Sequence, residues 1–198
     1  MRSVEKLDIP FVEFEAISDR KEKTVSSQVH AHVASLKKEE GEMYELVKEL
    51  GIKTIFIDSI SAYSDLLEAD TIVKPFDGKE RTEALQIQDY NWIQNRIYQT
   101  LRDMVALPYN FVASAGLDVH PDDKGRLRTH PSAAGNKLGP RIPHFFDDVL
   151  LFYYDERKQQ YMCSPEQSKE FEHAGSRAKI PLKQYSDASF GTFKEYWA

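Results

Sequence analysis

Cysteine is almost missing from this sequence. The one thiol, Cys163, excludes an intramolecular disulfide framework and a cysteine-based zinc site. Long apolar runs are missing too, and none approaches the roughly 18–20 residues of a membrane span. The N-terminal MRSVEKLDIPFVEFE lacks the unbroken apolar stretch of a secretory signal. These absences make a reducing, cytoplasmic location, without a membrane partner, the expectation. There is no excess of positive charge: 26 Lys and Arg face 32 Asp and Glu, for a net charge of −6. Such a balance argues against a protein that coats duplex DNA by bulk electrostatics. It leaves room for a local basic strip on an acidic body. No internal repeat or low-complexity tract stands out.

What is present fits one domain. The chain has 198 residues, 41% hydrophobic and 29% charged, enough apolar material for a core of its own. It divides into a charged helical part over 1–50, a core over 51–154, and a hairpin with a C-terminal tail over 155–198. In residues 19–49 the apolar positions Val25, Val29, Val33, Leu36, Met43, Leu46, Val47 and Leu50 recur at spacings of three and four, as on an amphipathic helix broken near Gly41. Gly51 stands where a helix-terminating glycine belongs.

Thr54-Ile55-Phe56-Ile57 is continuously apolar and reads as a central strand covered on both faces. A short helix over 60–70 and a polar loop over 71–83 follow. The strongest helical stripe covers 84–106, with Leu85, Ile87, Tyr90, Ile93, Ile97, Leu101, Met104 and Val105. Residues 110–115 read as a second strand. Residues 116–144 hold four prolines and four glycines and read as a long polar loop. Residues 148–154 form a third strand, which Gln160–Cys163 pairs with as a hairpin. This alternation predicts an α/β fold with a mainly parallel sheet.

In open parallel sheets, ligands bind at the carboxyl ends of the strands. Asp58 and Ser59 follow the first apolar strand, and Ser114 closes the second. An apolar strand ending in Asp is the Walker B pattern, in which the carboxylate holds Mg²⁺ or its waters beside nucleotide phosphates. The same Asp58-Ser59 pair also reads as the N-cap of the next helix.

Three segments in this order, TIFIDSISAYSDLL, DYNWIQNRIYQTLRDMVALPYNFVASA and PSAAGNKLGPRIPHFFDDVLLFYYD, resemble phage-encoded RecA-like P-loop ATPases. These are AAA-type ATP-binding proteins of the single-strand annealing and recombination group. The resemblance covers roughly 52–197. In the tail it rests on Tyr161-Met162-Cys163, on Ser176-Arg177-Ala178-Lys179 and on Ile180-Pro181-Leu182, with the order of basic residues altered.

The resemblance implies a RecA-like three-layer core with a C-terminal β-hairpin. It also implies ATP and Mg²⁺ as cofactors, with Asp58 as the metal-organising aspartate and Ser59 beside it. Ser114 becomes the polar residue near the γ-phosphate, where the family more often carries His or Gln. Lys124, Arg126, Arg128, Lys137 and Arg141, with His130, fall in a loop that in such proteins touches single-stranded DNA or a neighbouring subunit's nucleotide. The plain alternative for that loop is a solvated surface segment. A homo-oligomer, or a partner chain carrying the P-loop, is implied as well, in the cytoplasm of a bacterial host.

One motif of that family is missing. No Gly-Lys-Ser or Gly-Lys-Thr occurs, and the first glycine is Gly41. The first strand-loop-helix unit is therefore expected to be absent from the fold. Two explanations stand. The chain is the later part of a split ATPase, in which case Ile9–Glu15 forms the strand after the P-loop helix and Glu13 or Glu15 supplies the water-polarising carboxylate. Otherwise it is a non-hydrolysing binding or assembly module on the same scaffold. The alternating VEFE also reads as the solvent face of an edge strand. His30 and His32 stand two apart on a helix and face different ways, so they do not make a metal pair. The loop Asp118–Asp123 reads as a surface turn, and Cys163 as a small buried apolar residue.

Overall fold

The computed structural model describes residues 10–79, 84–121, 124–135, 137–168, 171–177, 180–181 and 185. Part of the basic tail segment (Ala178, Lys179, Leu182) and the aromatic end (Phe190, Phe193, Tyr196, Trp197) lie outside them. No described helix is long and apolar enough to cross a membrane.

The charged N-terminal part forms two helices, α1 (Val25–Lys38) and α2 (Glu42–Glu49). Thr24 caps α1 by accepting the Ser27 amide at 3.3 Å. The break falls where the sequence places it: Glu39 is left-handed and Gly41 has φ +87°. Gly51, at φ +61°, ends α2 with its amide on Lys48 O, while the Ile52 amide reaches Val47 O. That paired geometry satisfies two orphan carbonyls and favours glycine.

Strand β1 (Thr54–Ile57) runs into α3 (Ile60–Val73), then α4 (Ile87–Val105), then β2 (Asn110–Ala113). β1 and β2 pair in parallel, Thr54 opposite Asn110 through Ile57 opposite Ala113. Ile55, Ile57, Phe111 and Ala113 point inward onto the helices. The α4 stripe Ile93, Ile97, Leu101 and Met104 is buried against Val25, Ile60, Tyr63 and Leu67, or against Val33, Leu36 and Val47. Each such side chain contributes about 1.5–3 kcal/mol by leaving water.

The outer face of the pair departs from expectation. Phe56 is 56% and Val112 46% exposed, so β1 is covered on one face, not two. A run of four apolar residues does not say how many layers pack on it. Among the described residues only β1 and β2 pair in parallel, so the mainly parallel sheet is not what forms. The domain is mixed α/β with small sheets. Of the segment Ile9–Glu15, read as a strand after a P-loop helix, residues 10–15 are described and carry no strand pairing. Instead, Asp70 of α3 accepts the Ile17 amide at 2.9 Å and the Val25 amide at 2.5 Å.

The segment 116–144 is not a loop. It holds an antiparallel hairpin, β3 (Leu117–Pro121) with β4 (Leu127–Pro131), and a 3₁₀ helix over Gly139–Phe145. Pro121 and Pro131 close their strands, where no further ladder donor is needed. The third expected strand is two: β5 (Asp148–Val149) pairs with β8 (Gly175–Ser176), and β6 (Leu151–Asp155) pairs with β7 (Gln160–Ser164). Cys163 is fully buried with Ile180, and its backbone exchanges two 2.8 Å hydrogen bonds with Tyr185.

Candidate functional site

Parallel pairing of β1 and β2 brings their carboxyl ends side by side, and with them Asp58 and Ser114. The Ser114 hydroxyl donates to Asp58 Oδ1 at 2.6 Å. The backbone of Ser114 reinforces this. Its amide donates to Ile57 O at 3.0 Å, and its carbonyl accepts the Ile60 amide at 2.9 Å. The sequence left open whether Asp58-Ser59 caps a helix or holds a ligand. The structure divides the work. Ser59 is the N-cap of α3, its hydroxyl accepting the Ala62 amide at 3.1 Å, so Asp58 is not used for capping. Asp58 is exposed and Ser114 half-buried. The peptide joining Asp58 to Ser59 is cis.

Two further serines secure the surroundings. Ser61 accepts the Gly116 amide at 2.9 Å and donates to Ser132 O at 2.8 Å, so one hydroxyl ties the root of the β3–β4 hairpin to α3. Ser64, buried one turn on, accepts the Ala134 amide at 2.7 Å. Sequence reasoning passed over both. Their spacing of three on a helix starting at a strand end was the available signal. Gly139 reflects a close approach here, since a Cβ on it would lie 2.5 Å from Pro131 O.

The basic residues do not form one cluster. Lys124 and Arg126 flank Gly125 at the exposed hairpin tip. Arg128 sits on β4 and pairs with Glu172. Lys137 is exposed before the 3₁₀ helix. Arg141 lies on that helix and lines an open cavity of about 290 Å³ with Tyr98, His144 and Phe145. The tail's Arg177 pairs with Asp147 at 3.1 Å.

Glu15 is not brought to Asp58. It is exposed and lines an open cavity of about 490 Å³ with Glu13, Ser18, Glu22 and Gln28. Its neighbour Ile17 is bonded to Asp70, near the far end of α3 from Ser59. His32, set aside as a ligand, packs its ring on Phe14 at 5.8 Å.

A mixed α/β domain with an acid and a hydroxyl at adjoining ends of parallel strands has the layout of a scaffold that binds ligands at strand ends. The comparisons with known proteins agree with that class. The family profile described as an AAA domain matches residues 8–178, and the chain belongs to that AAA-type P-loop ATPase family. ATPases of this kind use a nucleotide and Mg²⁺ in general. No curated protein and no solved structure gives a match.

The residues fit one half of such a ligand. Mg²⁺ binds protein through one or two carboxylates and keeps waters and phosphate oxygens for its other positions. An exposed carboxylate with a hydroxyl at 2.6 Å suits that role. Among the described residues no group of three His, Cys, Asp or Glu side chains forms a metal cage. The phosphate half is a different matter, because the sequence has no Gly-Lys-Ser or Gly-Lys-Thr loop.

Proposed function

We propose that this chain is the Asp58-bearing part of a RecA-like, three-layer ATPase of phage type, acting on DNA in recombination or replication in the cytoplasm of a bacterial host. In this reading Asp58 holds Mg²⁺ or its waters through its carboxylate, and Ser114 orients that carboxylate and lies near the γ-phosphate. Mg²⁺ neutralises phosphate charge when bound. The phosphate-binding loop comes from outside this sequence, on a partner chain; the alternative assembly is a homo-oligomer. Lys124, Arg126, Lys137 and Arg141 supply cations for single-stranded DNA or for a neighbour's nucleotide. Glu15 as the water-polarising carboxylate needs a movement of residues 10–17 toward Asp58.

The observation that carries the reading is the 2.6 Å bond between Ser114 and Asp58 at adjoining strand ends, with capping left to Ser59. Titrating the chain with a fluorescent ATP analogue, with and without Mg²⁺, tests it. Saturable Mg²⁺-dependent binding that Asp58→Ala abolishes is the expected result once the phosphate loop is supplied. If Asp58→Ala binds as well as the parent, the assignment of Asp58 fails.

The second reading is a binding or assembly module that hydrolyses nothing. The missing Gly-Lys-Ser/Thr motif favours it. It predicts no affinity for ATP with any partner chain, and Asp58→Ala without effect on binding to DNA or protein.

A further inference from the structure

Outside the Asp58 site, titratable side chains gather where β4, the 3₁₀ helix and the segment 171–177 meet. His130 Nδ1 and His173 Nε2 are 3.1 Å apart. The His144 ring stands edge-on to His173 with centroids 6.0 Å apart, and Phe171 does the same from another side at 6.2 Å. Phe171 and Ala174 are buried.

A contact between two ring nitrogens has a strict proton count. One nitrogen donates and the other must be bare, so the bond exists with two neutral rings or with one charged ring. A second proton removes the acceptor and sets N–H against N–H, cation against cation. The surrounding charges offer little relief. From β4 comes Arg128, a cation. From β3 come His120 and, opposite His130 in the register, Asp118. From the 171–177 segment comes Glu172, already paired with Arg128. From the 3₁₀ helix come His144 and the cation Arg141. The Arg177–Asp147 pair closes the far end of the segment.

We propose that His130, His173 and His144 form a proton-sensitive clasp that holds residues 171–174 against the β3–β4 hairpin, and that acidification opens it. The segment's other fastening is independent of these rings. Within it, the Arg128–Glu172 pair joins the segment to β4; the β5–β8 pairing, Ser176 on Asp148 at 2.5 Å, and the Arg177 amide on Asp147 O at 2.8 Å lie beyond Ala174. Opening is therefore local. It uncovers Phe171 and leaves the hairpin held by Ser61 at its root, by Ser64 through Ala134 and by the Arg128–Glu172 pair.

The electrostatics set the direction. Burial, then His120 and Arg128, hold His130 below the usual histidine range, against a weaker pull from Glu172. Burial, then His130 and His144, do the same for His173. Both rings are neutral near pH 7, and the clasp is closed. In the opened state they regain ordinary basicity, so protons favour opening as pH falls through about 6.5 and below.

Hydrogen exchange of the full chain at about pH 7.5 and 5.5, corrected for the intrinsic pH dependence of amide exchange, reads this directly. At the lower pH, residues 127–130 and 171–174 are expected to exchange about tenfold faster or more, with β6 and β7 unchanged. His173→Gln, which cannot take a proton, is expected to remove the step. Imidazole NMR titration of the unaltered chain gives a second readout, in which the two rings accept protons in separate, coupled steps. Three results each overturn the proposal: no exchange step, a step that survives in His173→Gln, or two rings titrating independently near pH 6.5.

Discussion

Asp70→Asn is the sharpest test of how the N-terminal part is attached. Asp70 is 2% exposed, and both its oxygens accept backbone amides: Ile17 on Oδ1 at 2.9 Å and Val25 on Oδ2 at 2.5 Å. Val25 is the first residue of α1, so its amide is one of the orphan donors at a helix start. A carboxylate there also faces the positive end of the helix dipole. Asparagine has the same shape but only one acceptor. Its amide nitrogen must face either the Ile17 or the Val25 N–H, donor against donor.

A buried donor left without a partner costs about 1–3 kcal/mol, and the remaining bond loses its charge assistance, worth about 1 kcal/mol more. Relief of the buried charge offsets part of this. The expected net loss is about 1–3 kcal/mol, roughly 2–12 °C in Tm for a domain of this size. Urea unfolding followed by circular dichroism measures it. The exposed Asp65→Asn, on the same helix, is the control and is expected within about 0.5 kcal/mol of the parent. A loss below about 1 kcal/mol for Asp70→Asn would refute the argument that the two amides depend on two acceptor oxygens.

Other substitutions probe other joints. Ile97→Ala empties a fully buried position on α4 and is expected to cost about 2–5 kcal/mol by urea unfolding. Gly139→Ala drives a Cβ to 2.5 Å from the Pro131 carbonyl, so a loss of about 1–3 kcal/mol is expected, again by urea unfolding. Ser61→Ala cuts both bonds that tie the hairpin root to α3. It is expected to cost about 1–2 kcal/mol and to speed amide exchange at Gly116 and Ser132 before the rest of the chain. Asp58→Ala removes an exposed carboxylate and is expected to leave the unfolding free energy from urea titration within about 0.5 kcal/mol of the parent, separating a ligand role from a structural one.

Helices were readable where a stripe met a stop signal. The α4 stripe from Ile93 to Met104 and the Gly41 break are both patterns written over many neighbouring residues. The Asp58–Ser114 pair was readable as two strand ends, but its contact was not, because it depends on parallel pairing across 56 positions of sequence. The hairpin was missed for a local reason. Leu117, Val119 and Leu127, Thr129 alternate with polar residues, yet Pro121, Gly125 and Pro131 dominate the composition and mimic a loop. In the structure those prolines end strands instead of interrupting them. One-sided cover of β1 was hidden for another reason: Phe56 is as apolar as Ile55 and Ile57, and only packing tells an inward from an outward residue. Ser61 and Ser64 were legible only as two serines three apart on a helix; that they receive amides from 55 and 70 positions away was not.

The uncovered face of β1 and β2 turns these strands into a gauge. Among the described residues their ladder is two strands wide and supported from one side, so its opening should lie at the inexpensive end of the exchange spectrum, well below the Ile97 core. Whatever comes to rest on Phe56 and Val112 will slow the amides of 54–57 and 110–113, without touching a reporter residue or needing a label. In a titration with any added component, those eight positions separate contact at the sheet from binding elsewhere on the chain.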